Sequence, residues 1–122
     1  MHVSKEKMNL YKATANRRWR REQQQLSLSY RQKWELAKKA AQLLKDEFGV
    51  QRVVVFGSII QKELYHLHSD LDLAVWGLDE KKIHCAVAKL LELDPSQHVD
   101  LVRIEDVRSS LRSVIDQEGV LL

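Results

Sequence analysis

The stretch 53-VVVFGSIIQKELYHLHSDLDLAV-75 decides how this chain folds. It opens on Val53-Val54-Val55-Phe56, a β-branched and aromatic run suited to a buried strand. The small pair Gly57-Ser58 follows at once, and eleven residues separate Ser58 from Asp70. From Ser69 to Val75 polar and apolar positions alternate. Residues two apart in a strand point to one face, so Asp70 and Asp72 project together while Leu71, Leu73 and Val75 turn to the core. Their Cα atoms lie about 6.6 Å apart at a rise of roughly 3.3 Å per residue, within reach of one cation.

Such a pair demands a positive partner. Two like charges about 5 Å apart at an effective dielectric of about 20 repel by about 3 kcal/mol. Either a metal ion or a basic side chain must offset that. Downstream, His98-Val99-Asp100-Leu101-Val102 alternates in the same way and brings a third carboxylate on a neighbouring strand. Three Asp beside a Gly-Ser turn suit Mg²⁺ and a triphosphate. Hard cations take carboxylate oxygens, and the N–H groups of a small-residue turn take phosphate. The competing reading is a surface Asp pair and a strand Asp neutralised by Lys or Arg.

Gly57-Ser58, Asp70-x-Asp72 and Asp100 together resemble the nucleotidyltransferase superfamily to which DNA polymerase beta belongs. The small size is most similar to the minimal (MNT) members, the antitoxins of HEPN/MNT toxin–antitoxin pairs. The resemblance spans residues 53–102. It departs from the family at residues 59–63, Ile-Ile-Gln-Lys-Glu, where relatives carry basic and glycine residues. It implies an α/β (α+β) nucleotidyltransferase fold, a small mixed sheet flanked by helices. It also implies that Asp70, Asp72 and Asp100 are the catalytic, Mg²⁺-holding residues, and that Gly57, Ser58 and Ser69 bind the nucleotide. The implied function is transfer of AMP from ATP to a tyrosine hydroxyl of a HEPN ribonuclease toxin, which the protein also binds. A nucleotidyltransferase-like domain that masks its partner by binding alone is the alternative. A transferase acting on a small molecule is a third reading, opposed by the lack of room for a substrate domain.

Outward from that stretch, 122 residues make one domain that buries about two-thirds of its unfolded surface. The composition, 44% hydrophobic and 30% charged, is that of a soluble globular protein. A single cysteine, Cys85, excludes an internal disulfide and fits a reducing compartment. It is expected to be a small, half-buried helix residue. No apolar run has the length of a membrane span, and Met1-His2-Val3-Ser4-Lys5 lacks the apolar stretch of a signal peptide. A cytoplasmic protein with no membrane partner is the simplest expectation.

Charge divides the chain. Residues 1–50 carry 12 Lys/Arg and 5 Asp/Glu, net +7, and residues 51–122 carry 8 and 12, net −4, together the +3 of the whole. The excess peaks at Arg17-Arg18-Trp19-Arg20-Arg21. Three readings stay open there: contact with an acidic partner, contact with nucleic acid through the four Arg (not favoured), or a solvated helix face. Leu26, Tyr30, Trp34, Ala37, Ala41, Leu44 and Phe48 recur at helical spacing, and Gly49 suits a C-terminal cap. This predicts a long N-terminal helix, whose apolar positions thin out over Met8–Gln25, leaving either a projecting helical arm or poor order there; the chain divides as a basic arm over residues 1–25 and a nucleotidyltransferase domain over 26–122.

The remaining elements follow the same logic. Residues 58–67 are expected to form a short helix with Ile59, Ile60, Leu64 and Leu67 inward, its N-terminus beside the carboxylates. Lys62 reaches a phosphate or solvent, with solvent favoured; His66 and His68 read as loop residues. A helix over 80–93, capped by Asp79, buries Ile83, Ala86, Val87, Leu90 and Leu91. A turn over 94–97, a strand over 99–104 and a helix over 105–117 with Val107, Leu111, Val114 and Ile115 inward complete the pattern. The apolar tail Val120-Leu121-Leu122 needs cover from the core or a partner.

Overall fold

A computed structural model describes residues 4–122, so the first three residues of the basic arm lie outside the described residues. Helix α1 runs unbroken from Lys5 to Phe48, 44 residues, or about 66 Å at 1.5 Å per residue. Ser4 starts it, its hydroxyl accepting from the Lys7 N–H at 3.3 Å. Gly49, at φ +63°, ends it in the left-handed conformation that costs a residue with Cβ. Every described residue up to Gln25 is exposed, whereas Ala37, Ala41 and Leu44 are buried. The first half of α1 is therefore held by its own backbone hydrogen bonds, and the second half by packing.

Four strands form one sheet in the order β3-β2-β1-β4. β1 (Arg52–Phe56) pairs antiparallel with β2 (Leu71–Trp76), and β2 pairs parallel with β3 (Val99–Arg103). A parallel pair needs a crossover, and α2 (Ile83–Leu93) supplies it. Strand alternation then sorts the side chains. Val53, Val55, Leu71, Leu73, Val75 and Leu101 meet α1 and α2 in the main core. Val54, Phe56 and Ala74 point the other way, against Ile104 and Ile115, the latter on α3 (Ser109–Glu118). Each fully buried Leu, Val or Ile contributes about 1.5–3 kcal/mol. The apolar tail finds its cover at home. β4 (Val120–Leu121) pairs antiparallel with β1, the Leu122 N–H donates to the Val53 carbonyl at 2.9 Å, and Leu122 packs on the main core. Among the described residues no helix is long and apolar enough to cross a membrane.

Several expectations are corrected. Residues 58–67 form no single helix but two 3₁₀ turns, Gly57–Ile59 and Lys62–Leu64. Gln61, at ψ 80°, leaves helical space between them, and so short a segment cannot offset the cost of helix nucleation by itself. Ile59 is fully buried, but Leu64 and Leu67 are exposed. Tyr65 takes the inward place instead, edge-on to Tyr30 and hydrogen-bonded to Ser29 at 2.6 Å. The helix expected over 80–93 begins as a 3₁₀ turn, Glu80–Lys82, which Asp79 caps through the Lys81 N–H at 3.0 Å. Leu91 is exposed, because Ala86 and Leu90 fill the face toward the sheet. Cys85 is exposed too, not half-buried. The last helix starts at Ser109, not 105, since Arg103 clamps the 3₁₀ turn Ile104–Asp106 by bonding Asp106 at 2.7 Å and the Leu78 carbonyl at 2.8 Å. Val114 is exposed, leaving Ile115 as the anchor of α3.

Candidate nucleotide site

The site lies where β1 ends and β2 and β3 begin. Register pairing sets Asp72 directly beside Asp100 and opposite Phe56. Both Asp alternate with the core-facing residues, so they project from the face that α3 covers. Asp70 sits one residue before β2, and its Oδ1 lies 3.4 Å from His98 Nδ1. Ser69, buried, closes the turn before it: its hydroxyl accepts from the His66 N–H at 2.9 Å, and its own N–H donates to the His66 carbonyl at 3.0 Å. The Leu71 N–H donates to the His98 carbonyl, tying the first residue of β2 to the chain entering β3.

Burial pushes the Asp72 carboxyl up to about 6, and the charges of Asp100 and then Asp70 add to the rise. His98 and Lys33 oppose it. Asp72 thus stands in a place where negative charge exceeds its compensation. Oxygen-only donors of this kind suit a hard divalent cation. Still, among the described residues no group of three or more His, Cys, Asp or Glu side chains is arranged to hold a metal ion. Asp72 and Asp100 are brought together; Asp70 faces His98.

Gly57 takes φ +83°, and a Cβ built on it would overlap Asp72 Oδ2. Glycine is required there twice over, for the backbone and for the carboxylate. Gly57→Ala is expected to cost about 1–2 kcal/mol from the backbone alone, with more from displacing Asp72. Thermal melts of Gly57→Ala and of Gly57→Ala with Asp72→Ala check this: the double variant should recover the part due to the clash. Ser58 is half-buried beside it in the 3₁₀ turn. That turn is three residues long, so the expected helix N-terminus and its dipole are not available to a phosphate.

Lys62 does not face the carboxylates; its ammonium lies over the Tyr30 ring, 5.3 Å from the centroid. His66 and His68 are exposed loop residues, as expected, with His66 Nδ1 accepting from the His68 N–H at 3.2 Å. A basic group that does approach the site comes from α1, outside the Gly-Ser and Asp motifs. Lys33, on α1, is only 3% exposed, and its ammonium donates to Gln97 Oε1. Burial lowers its pKa, while Asp70, Asp94 and Asp72 hold it up. The signal was present: residues 26, 30, 33, 37, 40 and 44 step by helical spacing, which puts a lysine inside the apolar stripe.

The family description "Polymerase beta, Nucleotidyltransferase" matches residues 38–122. No match was found among curated proteins. Among solved structures, a chain of a toxin–antitoxin complex with AMP-PNP is 28% identical at a TM-score of 0.60, with 70% of each chain covered. A chain of the MntA–HepT toxin–antitoxin complex is 24% identical at 0.55, covering 72% of this chain and 69% of that one. A third comes from a tri-AMPylated Shewanella oneidensis HEPN toxin in complex with its MNT antitoxin, 24% identical at 0.56, covering 73% and 70%. The last two are likenesses of fold. The paired Asp72 and Asp100 on parallel strands, the Gly57 turn pressed on Asp72 and the family match over more than two-thirds of the chain converge: the chain belongs to the polymerase beta nucleotidyltransferase family.

Proposed function

We propose that this protein is a Mg²⁺-dependent nucleotidyltransferase that acts as an antitoxin, moving AMP from ATP to a tyrosine hydroxyl of a HEPN ribonuclease toxin and holding that partner in a complex. The observation that carries the reading is the β2–β3 register, which sets Asp100 beside Asp72 with Asp70 one step before the strand. Support comes from the AMP-PNP toxin–antitoxin structure at 28% identity. The tri-AMPylated toxin of the Shewanella complex names the product to look for.

In this reading Asp70 and Asp72 would hold Mg²⁺ with the nucleotide triphosphate, and Asp100 would complete the set. When bound, the ion would polarise phosphoryl oxygens and offset the charge that develops on them. Gly57 offers its N–H and Ser58 its hydroxyl to the outgoing phosphates. Ser69 fixes the turn that aims Asp70 and, lining the cavity beside it, would contact the nucleotide. Asp100, on the outer strand, orients the acceptor hydroxyl. The tyrosine oxygen loses its proton to solvent and bonds to the α-phosphorus. The bond between the α-phosphorus and its bridging oxygen breaks, and pyrophosphate leaves. Positioning and charge supply the catalysis, since such transfers need little covalent help.

Masking without chemistry is the second reading. It is favoured by Lys62 being engaged with Tyr30 and by Asp70 facing His98 instead of its two fellow carboxylates. One experiment separates the two. The protein is incubated with the co-encoded partner, ATP and Mg²⁺, and the partner's intact mass is measured. A gain of one or more AMP units on a tyrosine is the expected result. A partner silenced at equal molar amounts with no added mass overturns transfer and leaves masking.

A further inference from the structure

We infer that Lys33 is a nucleotide-binding residue: from α1 it closes the site beside Asp70 and takes the outer phosphates of the triphosphate. The inference rests on the nucleotidyltransferase reading above and goes beyond it, because neither the strands nor the Gly-Ser turn contribute this residue.

The argument begins with cost. A lysine ammonium taken from water without full compensation is expensive, and such groups persist where something demands them. Lys33 is buried to all but 3%, yet its hydrogen-bond partner is the neutral amide of Gln97, which occupies one of three N–H donors. Among the described residues it makes no ion pair. Asp70, Asp94 and Asp72 are close enough to act on its charge but do not bond it. The other donors adjoin a cavity of about 210 Å³ lined by Lys33, Ser69, Asp70, Ser96, Gln97 and His98. Lys33, Ser69, Gln97 and His98 thus put polar groups on its wall beside the Asp70 carboxylate, with Leu67 as an apolar member.

Charge balance then assigns the occupant. A triphosphate brings several negative charges to a place that already holds three carboxylates, so a divalent ion alone leaves an excess. Two groups oppose the rise at Asp72, His98 and Lys33. His98 is exposed and paired with Asp70, and Lys62 lies over Tyr30. Of the two groups that oppose the rise at Asp72, Lys33 is the one not paired with a carboxylate. As a compact point charge with rotatable donors, lysine suits that task.

The test uses the full chain and two ligands. Calorimetric titration with a non-hydrolysable ATP analogue and Mg²⁺ reads nucleotide binding, and Mn²⁺ alone, followed by its paramagnetic signal, reads the carboxylates. Lys33→Met should weaken the ATP analogue by roughly 10- to 100-fold, the loss of a hydrogen bond to a charged group. Mn²⁺ alone should bind as well or more tightly, because a neighbouring positive charge is gone. AMP, which lacks the outer phosphates, should bind the two proteins alike, and Lys33→Arg should retain ATP-analogue binding. Met matches the length and apolar stem of lysine, so the fold should stay intact. Lys33→Gln carries the same expectation should the Met chain fail to pack. Wild type and Lys33→Met binding the ATP analogue within about twofold of each other overturns the role of Lys33 and leaves the nucleotidyltransferase reading standing. Equal losses of ATP-analogue and Mn²⁺ binding also overturn it, marking Lys33 as structural. A wild type that binds no nucleotide overturns both.

Discussion

Transfer of AMP by Asp100→Asn is expected to fall about 100- to 1,000-fold while ATP binding is largely kept. Asp100 sits on β3, the outer strand, paired by register to Asp72. In the proposed mechanism the triphosphate is held chiefly by Asp70, Asp72 and the Gly57-Ser58 turn. Asp100 acts on the acceptor side, where its interaction grows as the tyrosine oxygen approaches phosphorus. Interactions realised in the transition state change rate without a matching change in binding. The rate of AMP addition, read by intact mass of the partner, and a calorimetric ATP titration check the two halves separately. Loss of ATP binding together with transfer would place Asp100 with the other two carboxylates; unchanged transfer would remove it from the site.

The second large effect has two opposite signs in one variant. Asp70→Asn with Asp72→Asn should abolish Mg²⁺-dependent ATP binding and yet raise stability. Asp72 has a folded pKa of about 6 against 3.8 in its ordinary state, so its ionised form is disfavoured by folding. A raised carboxyl pKa stabilises the protein below 3.8 and loses that contribution as pH rises through about 6. Above about 6, wild type therefore carries a penalty that Asn does not. Because Asp72 is only half-buried, solvent screening reduces the gain to about 1 kcal/mol, or about 4 °C in Tm for a chain of this size. The exposed Asp70–His98 pair subtracts little. Melts at neutral pH should thus separate, and melts below the ordinary Asp pKa should converge. Equal ATP binding by variant and wild type sinks the site; a lower Tm at neutral pH sinks the charge argument.

The carboxylates and the Gly-Ser turn were legible because their signal is local. Period-2 alternation around Asp72 and Asp100 fixes which way each side chain points wherever one sheet face is buried, whereas Asp70, one residue before β2, escapes it and faces His98. The seven-residue stripe from Leu26 to Phe48 and the cap at Gly49 likewise define a helix without reference to the rest of the chain. Segment 58–67 departs from its helical spacing for the opposite reason. Its apolar spacing fits a helix, but the segment is too short to nucleate one alone, and the choice passed to Tyr65, which docks on Ser29 and Tyr30 of α1. Leu91 and Val114 fell outside the core because a stripe shows a face, while its breadth depends on what packs against it.

By itself, then, the sequence determined the three longer strands, the helix over Leu26–Phe48 and the placing of Asp72 and Asp100 on strand faces, since backbone sterics and side-chain alternation act within a few residues. Only the tertiary structure decided that Asp100 stands beside Asp72, that the C-terminal residues pair with β1, and that Lys33 is buried against Gln97 with Asp70 as a neighbour. Those contacts join residues far apart in the chain. They depend on sheet order, crossover and helix packing, which bring distant groups into one low-dielectric space where a single ammonium or carboxylate changes the charge balance of the whole site.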